Sequence, residues 1–255
     1  MNSPYEGDFS ALIAGGSKGI GLAIAVRLAR PGARLFVAYH RDDSAAATAL
    51  ERLRAKGATA WAIKADVGSE AGAQRVADAV RNEVAHLDAL VHSAAVANPG
   101  ALITQNMSEV RQAIEIGGMA LLYLVRAASR LLEGGSTVLF LSGASTHLVL
   151  PQHGALAAAK ALGDCMIRYL AIECAPRGIN FNTLGSGPVD TELLRAVRSQ
   201  TGTMTNGMPV TPSGRPLEAD DLAEVAAFLL SKGGTMIRGQ SILVDGGLSV
   251  TTRKT

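Results

Sequence analysis

Seven residues, Gly15-Gly16-Ser17-Lys18-Gly19-Ile20-Gly21, join an apolar run at 9–14 to an amphipathic stretch at 20–30. A turn of this kind, placed between a strand and the helix it opens, suits a phosphate. Glycine lets the backbone turn tightly and approach a pyrophosphate, and the first N–H groups of the helix point at it. Plain turn geometry is the alternative, but the strand–turn–helix context favours nucleotide binding. Further along, Ser142, Ser145 and His147 follow an apolar run at 137–141. They stand at the carboxyl end of a strand, where open α/β sheets bind ligands. His92 closes another short run at 89–92, and reads either as a satisfied core histidine or as a substrate contact. The sequence has no HExxH, no GxSxG and no clustered metal-ligand set, so metal and hydrolase chemistry have no footing. Cys165 and Cys174 are the only cysteines and form no CxxC, which favours a reducing compartment.

The elements that must position these residues alternate. Strand-like runs occupy 9–14, 33–39, 60–67, 89–92, 137–141, 179–184 and 241–244. Helical periodicity fills 20–30, 45–56, 71–85 and 155–175, with two further helical stretches between the fourth and fifth strands. Such alternation predicts a doubly wound parallel sheet of about seven strands, Rossmann-like, with helices on both faces. The strands are continuous apolar runs, as expected when both faces are covered. Hydrophobic residues make up 48% of the 255, enough for one large core, and a net charge of +2 gives no footprint for nucleic acid or an anionic membrane. The longest apolar run, 116–125, is half of what a membrane span needs and reads as a buried helix. No targeting segment stands out, and the expected location is the cytoplasm. The whole chain, 1–255, reads as one domain. Residues 191–216 show little periodicity and exceed an ordinary connection, so they are expected to form a substrate lid.

The glycine turn resembles the TGxxxGIG turn of the short-chain dehydrogenases/reductases, with Ala14 in place of the usual Thr. Asp66-Val67 resembles that family's adenine-contacting pair, and Arg177-Gly178-Ile179-Asn180 with Asn182 its approach to strand six. Gly187, Val189 and Asp190-Thr191 resemble the segment closing on the nicotinamide side, and Val244-Asp245-Gly246-Gly247 the C-terminal strand signature. The resemblance covers almost the whole chain and implies a dinucleotide held by Gly15, Ser17, Lys18, Gly19, Ile20, Gly21, Asp66, Val67, Ser93, Ala94, Ala95, Lys160, Gly187, Val189 and Thr191. Tyr39 stands at the end of strand two, where an NAD binder carries an acid, with Arg41 two residues on and Lys18 in the turn. Two cations there favour NADP(H) over NAD(H), while Asp42 and Asp43 pull the other way.

The catalytic helix is marked by Ala157-Ala158-Ala159-Lys160-Ala161-Leu162, so the resemblance implies that Lys160 binds the nicotinamide ribose. Where the family's Tyr, Ser and Asn belong, this chain has Leu156, Gly143 (with Ser142 one residue off) and Gly117. An ordinary ketone reductase is therefore disfavoured. Enoyl-acyl-carrier-protein reductases carry their Tyr seven residues before the Lys. Both spacings project on the lysine's side of a helix, since seven residues fall 20° short of two turns. Seven before Lys160 stands His153. Its neutral ring, favoured by a helix N-terminus and by Lys160, is expected to donate to a thioester carbonyl; a plain helix-start residue is the alternative. His92-Ser93-Ala94-Ala95 and Met236-Ile237-Arg238-Gly239-Gln240 also resemble that subgroup.

The leading expectation is an NADP-dependent oxidoreductase acting on an enoyl thioester or related substrate, with Lys160, His153 and Ser142 as catalytic candidates. A non-redox isomerase, dehydratase or cyclase, or an inactive nucleotide-binding protein, are the alternatives on the same fold. The resemblance also implies a homodimer or homotetramer built on the helices around Ala120 and Ala161.

Overall fold

Strands β1 (Phe9–Ala14), β2 (Ala33–Tyr39), β3 (Thr59–Lys64), β4 (Ala89–His92), β5 (Thr137–Gly143), β6 (Asn180–Ser186) and β7 (Ser241–Val244) form one sheet in the order β3-β2-β1-β4-β5-β6-β7. Every pairing is parallel. The computed structural model describes residues 8–201 and 207–251. Parallel strands need crossover connections, and here helices supply them on both faces. α1 (Gly19–Leu28), α2 (Asp43–Ala55) and α8 (Ala219–Leu230) cover one face. α3 (Glu70–Arg81), α5 (Ala120–Ala127) and α6 (Gly154–Glu173) cover the other, with α4 (Met107–Ile114) packed on α6. The strand centres are dry, with β1 buried at all six positions.

Local chemistry sets several boundaries. Asp42 caps α2 by accepting from the Ala45 amide, so that helix starts two residues before the periodic pattern at 45. Ser69 caps α3 through the Gly72 amide. Residues 65–67, expected within the third strand, leave the sheet, and Asp66 accepts the Gly68 amide in the turn that follows. The apolar run at 116–125 is helical, but its first part is a π-helical turn, Glu115–Met119, linking α4 to α5. There Gly117 and Gly118 back directly onto Ala159 of α6, where a Cβ on Gly118 would stand 2.7 Å from the Ala159 carbonyl oxygen.

Two expectations need correction. Residues 191–216 are not simply a loop, because α7 (Glu192–Thr201) occupies their first part. Thr191 opens it, its Oγ1 accepting the Leu194 amide at 3.2 Å, and Leu193, Leu194 and Val197 fall on one side. Those three apolar residues sit among seven polar or small ones, which is why the periodicity was hard to see. Residues 202–206 of the segment lie outside the described residues. Pro151, a residue that suits the first turn of a helix and would set His153 within the catalytic helix, instead precedes that helix by three residues. Gln152 takes a left-handed backbone (φ 63°), its carbonyl accepting the Gly100 amide at 3.0 Å, and α6 begins only at Gly154.

α6 lies close to the sheet because residue 163 is glycine. A Cβ at Gly163 would come within 2.2 Å of the ring of Phe140, which is fully buried on β5. Gly163→Ala is therefore expected to destabilise the fold. Overpacking costs about 1–3 kcal/mol and outweighs the ~1 kcal/mol that alanine adds to a helix, since the ring has no free space. Urea unfolding measures this, and adding Phe140→Leu should recover part of the loss; an alanine variant as stable as the parent would contradict the packing.

Candidate functional site

The turn after β1 is shaped for a close-approaching anion. Gly15 has φ +79°, and a Cβ there would lie 2.6 Å from the Ala94 amide nitrogen beyond β4. Gly21, one turn into α1, packs against the Gly15 carbonyl so tightly that a Cβ would come within 2.3 Å of it. Lys18 holds the N-cap position of α1 without offering a side-chain cap, so the first-turn N–H groups remain available to a ligand. This cradle opens into a cavity of about 550 Å³ lined by Gly15, Ser17, Lys18, Gly19, Ile20, Tyr39, Arg41, Asp66, Val67, Ser93, Ala94, Ala95 and Thr191. Gly21 lies beneath, in the wall rather than on the surface. A dinucleotide's pyrophosphate suits this cradle, since side chains at Gly15 or Gly21 would strike the backbone that shapes it.

The charges at the rim are already arranged. Lys18 Nζ lies 2.6 Å from both Asp42 Oδ2 and Glu192 Oε2, tying the phosphate turn to the loop after β2 and to the start of α7. Those two carboxylates raise the Lys18 pKa. Asp43 accepts from Tyr39 Oη at 2.8 Å and pairs with Lys64 at 2.8 Å. Both acids that argued against NADP are thus engaged by cations, whereas Arg41 makes no ion pair among the described residues. These rim pairs are exposed, and pairs of that kind contribute little to stability.

A second cavity of about 520 Å³ continues from the first, the two sharing Ile20, Ser93, Ala95, Thr191 and Leu193 as walls. Lys160, Ser142, His153, Gly187 and Val189 all line it, so the chain brings together the cofactor and catalytic candidates of the sequence in one continuous groove. The rest is largely apolar: Leu141, Leu148, Leu150, Leu156, Leu193, Leu194, Val197 and Leu248. α7 forms one side, with Arg198 among its contributions. Among the described residues that line the cavity, none is a tyrosine. Tyr39 is at the rim of the first cavity, Tyr123 donates to Glu115, and Tyr169 is exposed on α6.

Lys160 is buried, its Nζ 4.8 Å from the Phe140 ring centre. Burial pulls its pKa down to about 8, opposed by the carboxylate of Asp164 one helical turn on. Asp164 was not singled out in the sequence. Its only signal there was an acid four residues after the lysine, which surface helices also show. Burial raises its pKa, opposed chiefly by hydrogen bonding from Ser142, whose Oγ donates to Oδ2 at 3.1 Å.

His153 differs from expectation. It precedes α6 as its N-cap residue, and its Nδ1 lies 2.8 Å from the Pro151 carbonyl. A carbonyl only accepts, so Nδ1 carries the proton, and in a neutral ring Nε2 is then an acceptor. Only the imidazolium form donates through Nε2, which revises the expectation of a neutral donor. His147 is exposed and lines neither cavity, whereas Ser145 lines the second.

His92 is fully buried, but it is neither satisfied nor in contact with either cavity. Neither ring nitrogen has a hydrogen-bond partner; the Ile116 carbonyl is near enough to favour protonation slightly but does not meet bonding geometry. Burial, with repulsion from Lys160, pushes its pKa down to about 3. The unfolded chain takes up this proton near pH 6.5, and the folded chain refuses it until about 3. Stability present above pH 6.5 is thus lost as pH falls through this window. His92→Leu is expected to flatten that loss, read from urea unfolding at a series of pH values; an unchanged slope would place the acid sensitivity elsewhere.

No group of three or more His, Cys, Asp or Glu that could hold a metal occurs among the described residues, and none of their helices is long and apolar enough to cross a membrane. Residues 14–249 match the family model described as enoyl-(acyl carrier protein) reductase. A 1-cyclohexenylcarbonyl-CoA reductase of Streptomyces collinus is 29% identical, over 98% of this chain and 92% of the relative. Versicolorin reductase 1 of Aspergillus parasiticus is 31% identical, over 93% and 95%. A short-chain dehydrogenase of Burkholderia cenocepacia J2315, solved in complex with NADP, matches with a TM-score of 0.84 at 28% identity, over 96% of this chain and 98% of that one.

Proposed function

The chain belongs to the short-chain dehydrogenase/reductase family of oxidoreductases, and on that premise we propose that it is an NADP-dependent reductase of apolar α,β-unsaturated thioesters. One observation carries the reading: a glycine-walled anion cradle shares five wall residues with an apolar cavity whose buried polar side chains include Lys160 and Ser142. Two comparisons support it. The Streptomyces collinus relative is named for an α,β-unsaturated CoA thioester, and the Burkholderia structure holds NADP.

When bound, NADPH would supply the hydride for the β-carbon of the acyl group. The turn at Gly15 and the N-terminus of α1 hold the pyrophosphate, with Asp66 and Val67 beside the adenine. Arg41 takes the 2′-phosphate, since it alone of the rim cations is not already paired with a carboxylate, and Lys160 holds the nicotinamide ribose. The leucines of the second cavity keep water from the acyl chain, and α7 closes over it as the lid. Hydride addition to the β-carbon of an enoyl thioester would leave an enolate, whose oxygen needs a hydrogen-bond donor rather than a tyrosine and whose α-carbon would take its proton from water. His153 as imidazolium or a water supplies that donor, since Ser142 gives its one O–H to Asp164. A homodimer or homotetramer would cover Tyr169 and Ile172, both exposed on α6.

Thermal unfolding with saturating NADPH and NADH tests the cofactor assignment. Ligand at 1,000 times its Kd stabilises by ~4 kcal/mol, so NADPH should raise Tm clearly and NADH less. Arg41→Ala should remove most of that difference. No shift with either nucleotide would remove the redox reading.

A panel of enoyl thioesters, 1-cyclohexenylcarbonyl-CoA among them, should then oxidise NADPH in step with product. His153→Ala is expected to lower kcat by about 10²-fold or more, the usual worth of a positioned proton donor. A second reading, a non-redox isomerase or dehydratase, is favoured by Leu156 at the tyrosine position. It predicts product with NADPH absorbance unchanged.

A further inference from the structure

The strand register sets a row of side chains beneath α6. His92 on β4 lies opposite Phe140 on β5, and Phe140 opposite Thr183 on β6; all three are at most 1% exposed. Ser142, two residues beyond Phe140, projects from the same face of the sheet. Over this row α6 lays two ionisable groups one turn apart, Lys160 and Asp164, each 7% exposed. Lys160 and Ser142 line the substrate cavity; Asp164 does not, and it meets the site only from behind.

Asp164 is costly where it stands. Its Oδ2 accepts from Ser142 Oγ at 3.1 Å, but its Oδ1 has no hydrogen-bond partner, and neither has the nearby Thr183 Oγ1. An apolar residue of similar volume would avoid that desolvation. Among the elements packed on α6, α4 and the π-helical turn bring Glu109, Arg111 and Glu115, the last engaged by Tyr123, and none of the three acts on Lys160; from the sheet, the other titratable group that does is His92 of β4, which is held neutral by its burial. β5, β6 and the turn at Ala144–Thr146 add only the hydroxyls of Ser142, Thr183 and Thr146. Among the described residues Asp164 is therefore the one carboxylate whose charge acts on the buried ammonium, across a gap wider than an ion pair.

We propose that Asp164 is a positioning residue of this site: from behind the cavity wall it orients the Ser142 hydroxyl by a direct hydrogen bond and keeps Lys160 in its charged form. The inference rests on the reductase reading for its catalytic meaning, but the control of Lys160 is a property of the chain alone. With Asp164 ionised, Lys160 stays an ammonium across neutral pH, and Ser142 is held against the wall by its acceptor. Without the carboxylate, the ammonium loses its partner and gives up its proton at lower pH.

Asp164→Asn tests this, because it keeps the shape and an acceptor for Ser142 and removes only the charge. Lys160 is titrated without cofactor or substrate by NMR of protein labelled with ¹³C at the lysine ε-carbons, its signal assigned with Lys160→Met. The expected result is a titration midpoint lower by about 1 unit or more, the effect of one close opposite charge. The alkaline limb of the kcat profile should fall by the same amount. Ser142→Ala, which leaves the carboxylate in place, should leave the midpoint within a few tenths of a unit while lowering kcat. A merely structural role would change the melting temperature of Asp164→Asn and leave the Lys160 midpoint where it was; that result overturns the proposal. Wild-type protein that turns over no enoyl thioester would instead overturn the reductase reading, with the NMR midpoint still deciding Asp164's hold on Lys160.

Discussion

Parallel pairing of all seven strands is the constraint from which the rest follows. Because no neighbour runs antiparallel, each connection crosses from the carboxyl end of one strand to the amino end of the next. Loops that carry chemistry therefore collect at one edge. The chain builds outward from β1 to β3 and then returns to β4 on the other side of β1. At that reversal the loops after β1 and β4 part and leave a crevice, the usual ligand position in such sheets. Gly15 is held there by more than its own turn. The backbone at Ala94 closes over it, so the neighbouring loop, and not local preference alone, excludes a side chain.

The second determinant is how near α6 comes to the sheet. Gly163 lets the helix settle onto Phe140, and Gly117 and Gly118 in the π-helical turn let the next helical segment settle onto Ala159. Close packing from both sides buries Lys160 and Asp164 above a strand face that itself carries His92, Thr183 and Ser142. A core built for stability alone would be apolar there. The atoms of Asp164, Thr183 and His92 that lack hydrogen-bond partners lie behind the cavity wall rather than in it, a local loss of consistency of the kind proteins accept beside functional sites.

At the rim the logic is different. Lys18 is shared by Asp42 and Glu192, and Asp43 by Lys64 and Tyr39, all near solvent where ion pairs are weak and screened. Such pairs fix the loops without locking them. The Lys18–Glu192 contact also joins the phosphate turn to α7, so one cation touches both halves of the groove.

The sequence by itself determined the sheet, its parallel sense and the phosphate turn, because these rest on local signals: apolar runs of strand length, helical periodicity between them, and glycines at a strand–helix junction. Lys160 was marked by the resemblance of Ala157–Leu162 to a catalytic helix, and the structure sets it in the wall of the second cavity. The sequence did not determine the state of the groups at the site. Whether Asp42 and Asp43 face a ribose or a lysine, which nitrogen of His153 holds the proton, and whether α7 is a helix all depend on contacts between residues far apart in the chain. Asp164 makes the point most clearly. Along the helix it is an acid one turn after a lysine, indistinguishable from a solvated surface pair. Only the approach of β5 and β6, brought beneath it by the sheet, takes that pair out of water, and dehydration is what turns an ordinary charge into one that can govern its neighbour.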